Sequence, residues 1–115
     1  MYFKQLDVYQ LAIQHLTLAQ LLSAEVQPGQ REVRDQLRRA SLSIPLNVAE
    51  GAGKTKPADQ RRFFAIARGS AMECAALVDV CRVLGIGSAH TWDEADALLL
   101  SLVRMLSKMS LDSKR

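Results

Sequence analysis

The stretch Leu37–Gly51, LRRASLSIPLNVAEG, decides how this chain is read. Taken as a helix, it puts Leu37, Ala40, Ser41, Ile44 and Val48 on one face, the spacing of a buried stripe. Leu42, Leu46 and Ala49 fall on the opposite side. A helix that is apolar on two sides must be covered on two sides. The remainder of a small domain supplies one cover, and a second copy of the chain is the expected other. Pro45, inside this helix, lacks a backbone donor and predicts a bend or local unwinding. Ser41 and Ser43 are placed to offer hydroxyl partners there. Gly51-Ala52-Gly53 is expected to end the helix, with glycine in the left-handed conformation.

Three further helices follow from working outward. Helix 1 is predicted over about 4–25, with Leu6, Tyr9, Ile13 and Leu16 on one face and Leu11, Leu18, Leu21 and Leu22 widening it. Gln27-Pro28-Gly29 breaks the chain before helix 2, predicted over 30–49. Helix 3, over 56–84, has the most regular pattern: Phe63, Ala67, Ser70, Cys74, Leu77, Cys81 and Leu84 recur in steps of four and three. Thr55 is its expected N-cap, with Pro57 and Asp59 suited to the first turn. A second stripe of Ala65, Gly69, Met72, Ala76 and Val83 presents small residues to another helix. Gly85-Ile86-Gly87 stops helix 3, and Thr91-Trp92-Asp93-Glu94 reads as a capping box for helix 4. Ala95, Leu98, Leu99, Leu102, Met105, Leu106 and Met109 form the last buried face. Short breaks between four helices predict one all-α domain over 1–115, an antiparallel up-down four-helix bundle with 111–115 frayed.

Composition agrees with a globular domain: 49% of the 115 residues are hydrophobic and 23% charged. No apolar run approaches the ~18 residues of a membrane span, and MYFKQLDVYQ lacks a signal-peptide core, so a cytoplasmic location without a membrane partner is expected. Cys74 and Cys81, two turns apart on one helix, cannot bridge each other and read as reduced core thiols.

The net charge of +3 is unevenly placed. Between Arg31 and Arg68 nine Lys/Arg face four Asp/Glu, whereas the remainder holds six basic and eight acidic residues. Such asymmetry marks a polyanion partner. A solvated face with Asp35–Arg38/Arg39 and Asp59–Arg62 pairs accounts for it equally well. Arg31, Arg34, Arg38, Arg39, Lys54, Lys56, Arg61, Arg62 and Arg68 are the candidate nucleic-acid contacts. With one Trp, two Tyr and three Phe, no stacking motif for base readout is present, so contact with RNA or DNA is expected through the backbone.

Catalytic readings fare poorly. In EGAGKT, Glu50–Thr55, the first glycine of a phosphate loop is replaced by Val48, a helix stands where a strand is required, and Pro57 intrudes. His15 and His90 lack ligand spacing to either cysteine and are expected at the surface or an interface. Ser70 has no evident histidine base, and no carboxylate pair suggests acid–base work. No enzyme activity, cofactor or metal is expected. Leu42, Pro45, Leu46, Asn47, Glu50, Gly69, Met72 and Glu73 are assigned structural or interface roles, Asn47 satisfying carbonyls freed by Pro45 and Glu73 pairing with Arg38 or Arg39.

LRRASLSIPLNVAEGAGK, followed by RRFFAIARGSAMECAAL at 61–77, resembles the four-helix-bundle family of 23S ribosomal RNA intervening-sequence proteins. It is also similar to the accessory variability determinant proteins of diversity-generating retroelements. The likeness begins at Leu6-Asp7-Val8-Tyr9 and spans nearly the whole chain. It implies an up-down bundle that assembles into a ring, typically a homopentamer, with a nucleic-acid role. The alternative is a structural bundle whose arginines serve subunit contacts or a protein partner.

Overall fold

A computed structural model of the chain describes residues 1–111, and these form four α-helices and two short 3-10 turns, with no strand among the described residues. The helices are α1 (Asp7–Ala24), α2 (Arg31–Ala52), α3 (Pro57–Leu84) and α4 (Ala89–Ser110). Helix α3 packs against α2 and α4, and α1 packs against the same two. The four therefore stand at the corners of a square, with α1 and α3 across one diagonal, in a bundle 45 Å long and 21 Å across. Of the fraying expected over 111–115, residues 112–115 lie outside the described residues, and Leu111 forms a bend after α4.

The core runs the length of the square. Ala12, Leu18, Ile44, Val48, Ala67, Cys74, Leu99, Leu102 and Leu106 belong to one buried cluster drawn from all four helices. Each such leucine or isoleucine contributes about 1.5–3 kcal/mol relative to exposure. The predicted face of α2 is the observed one: Leu37, Ala40, Ser41, Ile44 and Val48 are all buried. On α4 the four buried residues, Ala95, Leu99, Leu102 and Leu106, also lie within the predicted set.

Several local expectations are corrected. Helix α1 is turned so that Val8, Ala12, His15, Ala19 and Leu22 face inward while Ile13 and Leu21 stand exposed. Its first residues, Tyr2–Gln5, form a 3-10 turn instead. Helix α3 buries Phe64, Ala71 and Val78 in place of Phe63, Ser70 and Leu77, and Leu84 is exposed. Lys56, not Thr55, caps α3, and α4 starts at Ala89 behind Ser88, so Thr91 already lies inside it. Glycine does close α3: Gly85 has φ +71°, and the Ile86 N–H reaches the Cys81 carbonyl at 2.9 Å, a Schellman closure.

Helix α2 runs on through Pro45 and then through Gly51, while Gly53 keeps a right-handed φ of −85°. Gly51 serves packing. A Cβ there would lie 2.6 Å from Phe64 Cε1 and 3.2 Å from the Gln60 carbonyl oxygen, so α2 and α3 approach this closely only over a glycine. Gly51→Ala should cost about 1–3 kcal/mol as overpacking, read by denaturant unfolding, whereas Gly69→Ala, with open space at its Cβ, should not destabilise.

Candidate nucleic-acid interface

The nine candidate cations do not share one face. Helix α2 rises about 33 Å over its 22 residues, which separates Arg31 and Arg34 at its start from Lys54 beyond its end. Arg38 and Arg39, adjacent in sequence, point into different grooves. Arg38 lies beside Leu16, Gln20 and Leu42 at the α1–α2 groove, and Arg39 beside Gln36 and Leu77 at the α2–α3 groove. Arg68 is tied down: its Nε donates to Ser107 Oγ at 2.7 Å and joins α3 to α4.

The cluster that does form is at the connection between α2 and α3. Lys54, Lys56, Arg61 and Arg62 fall within nine residues around a single tight turn. Lys54 Nζ sits 5.1 Å and the Arg62 guanidinium carbon 4.8 Å from the ring centre of Phe63, so one aromatic ring gathers two cations. The Gln60 side-chain amide donates to the Lys54 carbonyl at 2.9 Å and fixes the turn. Glu50 approaches Lys54 at 3.5 Å. Asp59 makes no ion pair with Arg62, and among the described residues Arg31, Arg38, Arg39, Lys56, Arg61 and Arg62 take part in none. The predicted Asp35–Arg38/Arg39 pairs are likewise replaced by Arg34–Asp35 at 3.6 Å.

Compared with known protein families, residues 4–108 match the family described as 23S rRNA-intervening sequence protein. The chain belongs to that family. No curated protein sequence matches it. As a 23S rRNA-intervening sequence protein it carries no helix long and apolar enough to cross a membrane among the described residues.

The residues assigned structural roles divide. Asn47 donates to the Ser43 carbonyl at 2.8 Å and to Ser43 Oγ at 2.9 Å, and Ser70 Oγ reaches Ser43 Oγ at 2.8 Å. This polar seam ties α2 to α3. Asn47 does not serve the Ser41 carbonyl, the one that Pro45 leaves without its usual donor. Glu73 is exposed and pairs with neither Arg38 nor Arg39. Leu42, Leu46, Gly69 and Met72 are all exposed, as an interface would need, and Pro45 is buried.

Two features escape sequence reading. Arg82 gathers three carboxylates, Asp79 at 3.0 Å, Asp93 at 3.2 Å and Asp96 at 2.6 Å, drawing the acidic start of α4 onto α3. The hydrogen bond to Asp96 contributes most to raising the arginine's pKa. His15, expected at the surface or an interface, is only 1% exposed, its Nδ1 has no hydrogen-bond partner among the described residues, and burial depresses its pKa from 6.5 to about 4. Burial pushes the Cys74 thiol up to about 12, with the Glu73 charge adding to the shift. Native protein at pH 8 should therefore resist thiol alkylation at Cys74, with full labelling only in denaturant; equal labelling rates in the two states would contradict this burial.

Proposed function

We propose that the protein is a non-catalytic, homo-oligomeric accessory protein that binds the phosphate backbone of RNA or DNA at the α2–α3 end of its bundle. The helices run up and down in alternation, favoured by their short connections and by the Ser43–Ser70 and Arg68–Ser107 links. The subunits close into a ring, for which the family resemblance gives five members. The observation that carries the reading is the Lys54, Lys56, Arg61 and Arg62 cluster, whose neighbouring acids, Glu50 and Asp59, neutralise at most half of it. A ring repeats this cluster about one axis, which raises the local positive potential beyond what one subunit holds. Contacts to phosphate position a nucleic acid without reading its bases, so selectivity for sequence is weak. The family's description, which joins its members to 23S rRNA intervening sequences, makes structured RNA the first probe.

A second reading keeps the assembly and drops the nucleic acid. It is favoured by Arg38 and Arg39, which sit beside leucines in separate grooves, as interface arginines do. Light scattering coupled to gel filtration at low salt, with and without RNA, separates the readings. A multiple of 12.7 kDa that co-elutes with RNA is expected. A clean monomer would refute the oligomer, and an assembly that leaves RNA and DNA behind would favour the second reading.

A further inference from the structure

We infer that the α2–α3 end of the bundle takes an unpaired nucleic-acid strand, its phosphates held by the cations there and its bases stacked on Tyr2 and Phe63. This rests on the nucleic-acid reading above and adds which form of nucleic acid the site selects. Helix packing places the groups. Gly51 lies against Phe64, and Arg68 meets Ser107, so the start of α3 stands beside the end of α2 and the end of α4. Leu22, late in α1, packs against Gly87 in the α3–α4 connection, at the far end of the rod. Helix α1 therefore begins at the α2–α3 end, and the 3-10 turn Tyr2–Gln5 that precedes it packs on α2 there.

That placement sorts charges and rings along the long axis. The α2–α3 end, residues 1–9, 50–68 and 104–111, holds eight Lys/Arg, three Asp/Glu and five of the six aromatic residues. The opposite end, residues 22–35 and 79–96, holds three Lys/Arg, seven Asp/Glu and Trp92. A polyanion is drawn to the first end and turned away from the second. Of the five rings, three are committed to the fold. Phe64 is buried against Gly51, and Phe3 and Tyr9 pack edge to face with centroids 5.0 Å apart. Tyr2, 70% exposed, and half-buried Phe63 remain. Phe63 carries Lys54 Nζ and the Arg62 guanidinium over its ring, so flat surfaces and phosphate-binding charges occur together. Cationic surfaces with aromatic platforms suit single strands, because every base offers a π-face and stacking adds affinity without reading sequence. In a duplex those faces are already stacked on one another, which leaves this end only phosphates to hold. Unpaired strands are accordingly favoured over paired ones.

The test compares three probes of equal length on the intact protein: a single strand of mixed sequence, the same strand made abasic, and its duplex. RNA and DNA versions of each distinguish the two backbones. At ~0.1 M salt the base-bearing single strand should bind more tightly than the duplex and at least about tenfold more tightly than the abasic strand. Tyr2→Leu with Phe63→Leu removes both platforms and no charge. It should weaken single-strand binding at least about tenfold while leaving duplex affinity and the salt slope unchanged, a combination that loss of charge or of fold does not produce. Phe63→Tyr, which keeps the ring, should bind as the wild type does. If circular dichroism shows that Phe63→Leu loosens the helices, Tyr2→Leu alone, at an exposed position, should still cost about threefold or more. A duplex or abasic strand bound as tightly as the base-bearing strand, or folded variants that lose no single-strand affinity, would overturn the stacking. Absence of binding to any probe would instead overturn the nucleic-acid reading on which it rests.

Discussion

Lowering the pH from 6.5 to about 4 should remove about 3 kcal/mol of stability through His15 alone. His15 is a base whose folded pKa lies below its unfolded value, because burial on α1 penalises the imidazolium; its Nδ1 has no hydrogen-bond partner among the described residues. The unfolded chain therefore takes up the proton first. Stability is full above pH 6.5, declines through the window down to about 4 and is lost in full below it. Acidification acts on the rest of the protein too, so the decisive quantity is a difference between proteins. His15→Leu should flatten the slope of unfolding free energy between pH 6.5 and 4.5, measured in denaturant at fixed protein concentration. His15→Gln, which keeps a polar group but cannot titrate, should flatten it as well. An unchanged slope in both variants would mean that His15 is hydrated or partnered in the folded state.

The second large effect concerns the cationic turn. Replacing Lys54, Lys56, Arg61 and Arg62 together by glutamine should weaken RNA or DNA binding at least about 30-fold at ~0.1 M salt and lower the salt slope by about 0.9 for each phosphate contact removed. The loss should be uniform across sequences, since these side chains read charge. Assembly should persist, because the turn lies at the end of the bundle and the exposed apolar residues Leu42, Leu46 and Met72 are untouched. Arg38→Gln should do the reverse, weakening assembly more than it changes the salt slope of the rings that remain. If the fourfold variant binds as the wild type does, the phosphate contacts lie elsewhere, with Arg31, Arg34 and Arg39 next in line.

How far the sequence foretold this arrangement depends on the helix. On α2 the stripe of Leu37, Ala40, Ser41, Ile44 and Val48 is longer than the opposite one of Leu42, Leu46 and Ala49, so period and length together identify the buried face. On α3 the pairs Phe63–Phe64, Ser70–Ala71 and Leu77–Val78 offer two adjacent stripes sharing Ala67, Cys74 and Cys81. Packing between α2 and α4 chooses between them, and no single-helix pattern contains that choice. The same holds for α1, where the leucine-rich side yields partly to Ala12, His15 and Ala19, whose small or flat side chains permit close approach. Charge was legible as an excess but not as a surface. Adjacent Arg38 and Arg39 separate by a helical step of about 100° into different grooves, and Arg68 finds a serine 39 residues away. The Arg82 cluster required three aspartates from two helices, a convergence visible only once α3 and α4 are packed.

Whether an assembly of this chain holds a nucleic acid by its backbone is read by titrating the assembled protein into labelled single- and double-stranded RNA and DNA between ~50 and ~200 mM salt. Binding to several unrelated sequences with similar affinity is expected, with a steep linear fall of log K with log salt and loss of that slope in the fourfold glutamine variant. Absence of association with every probe at the lowest salt, from protein shown to be assembled, would contradict it.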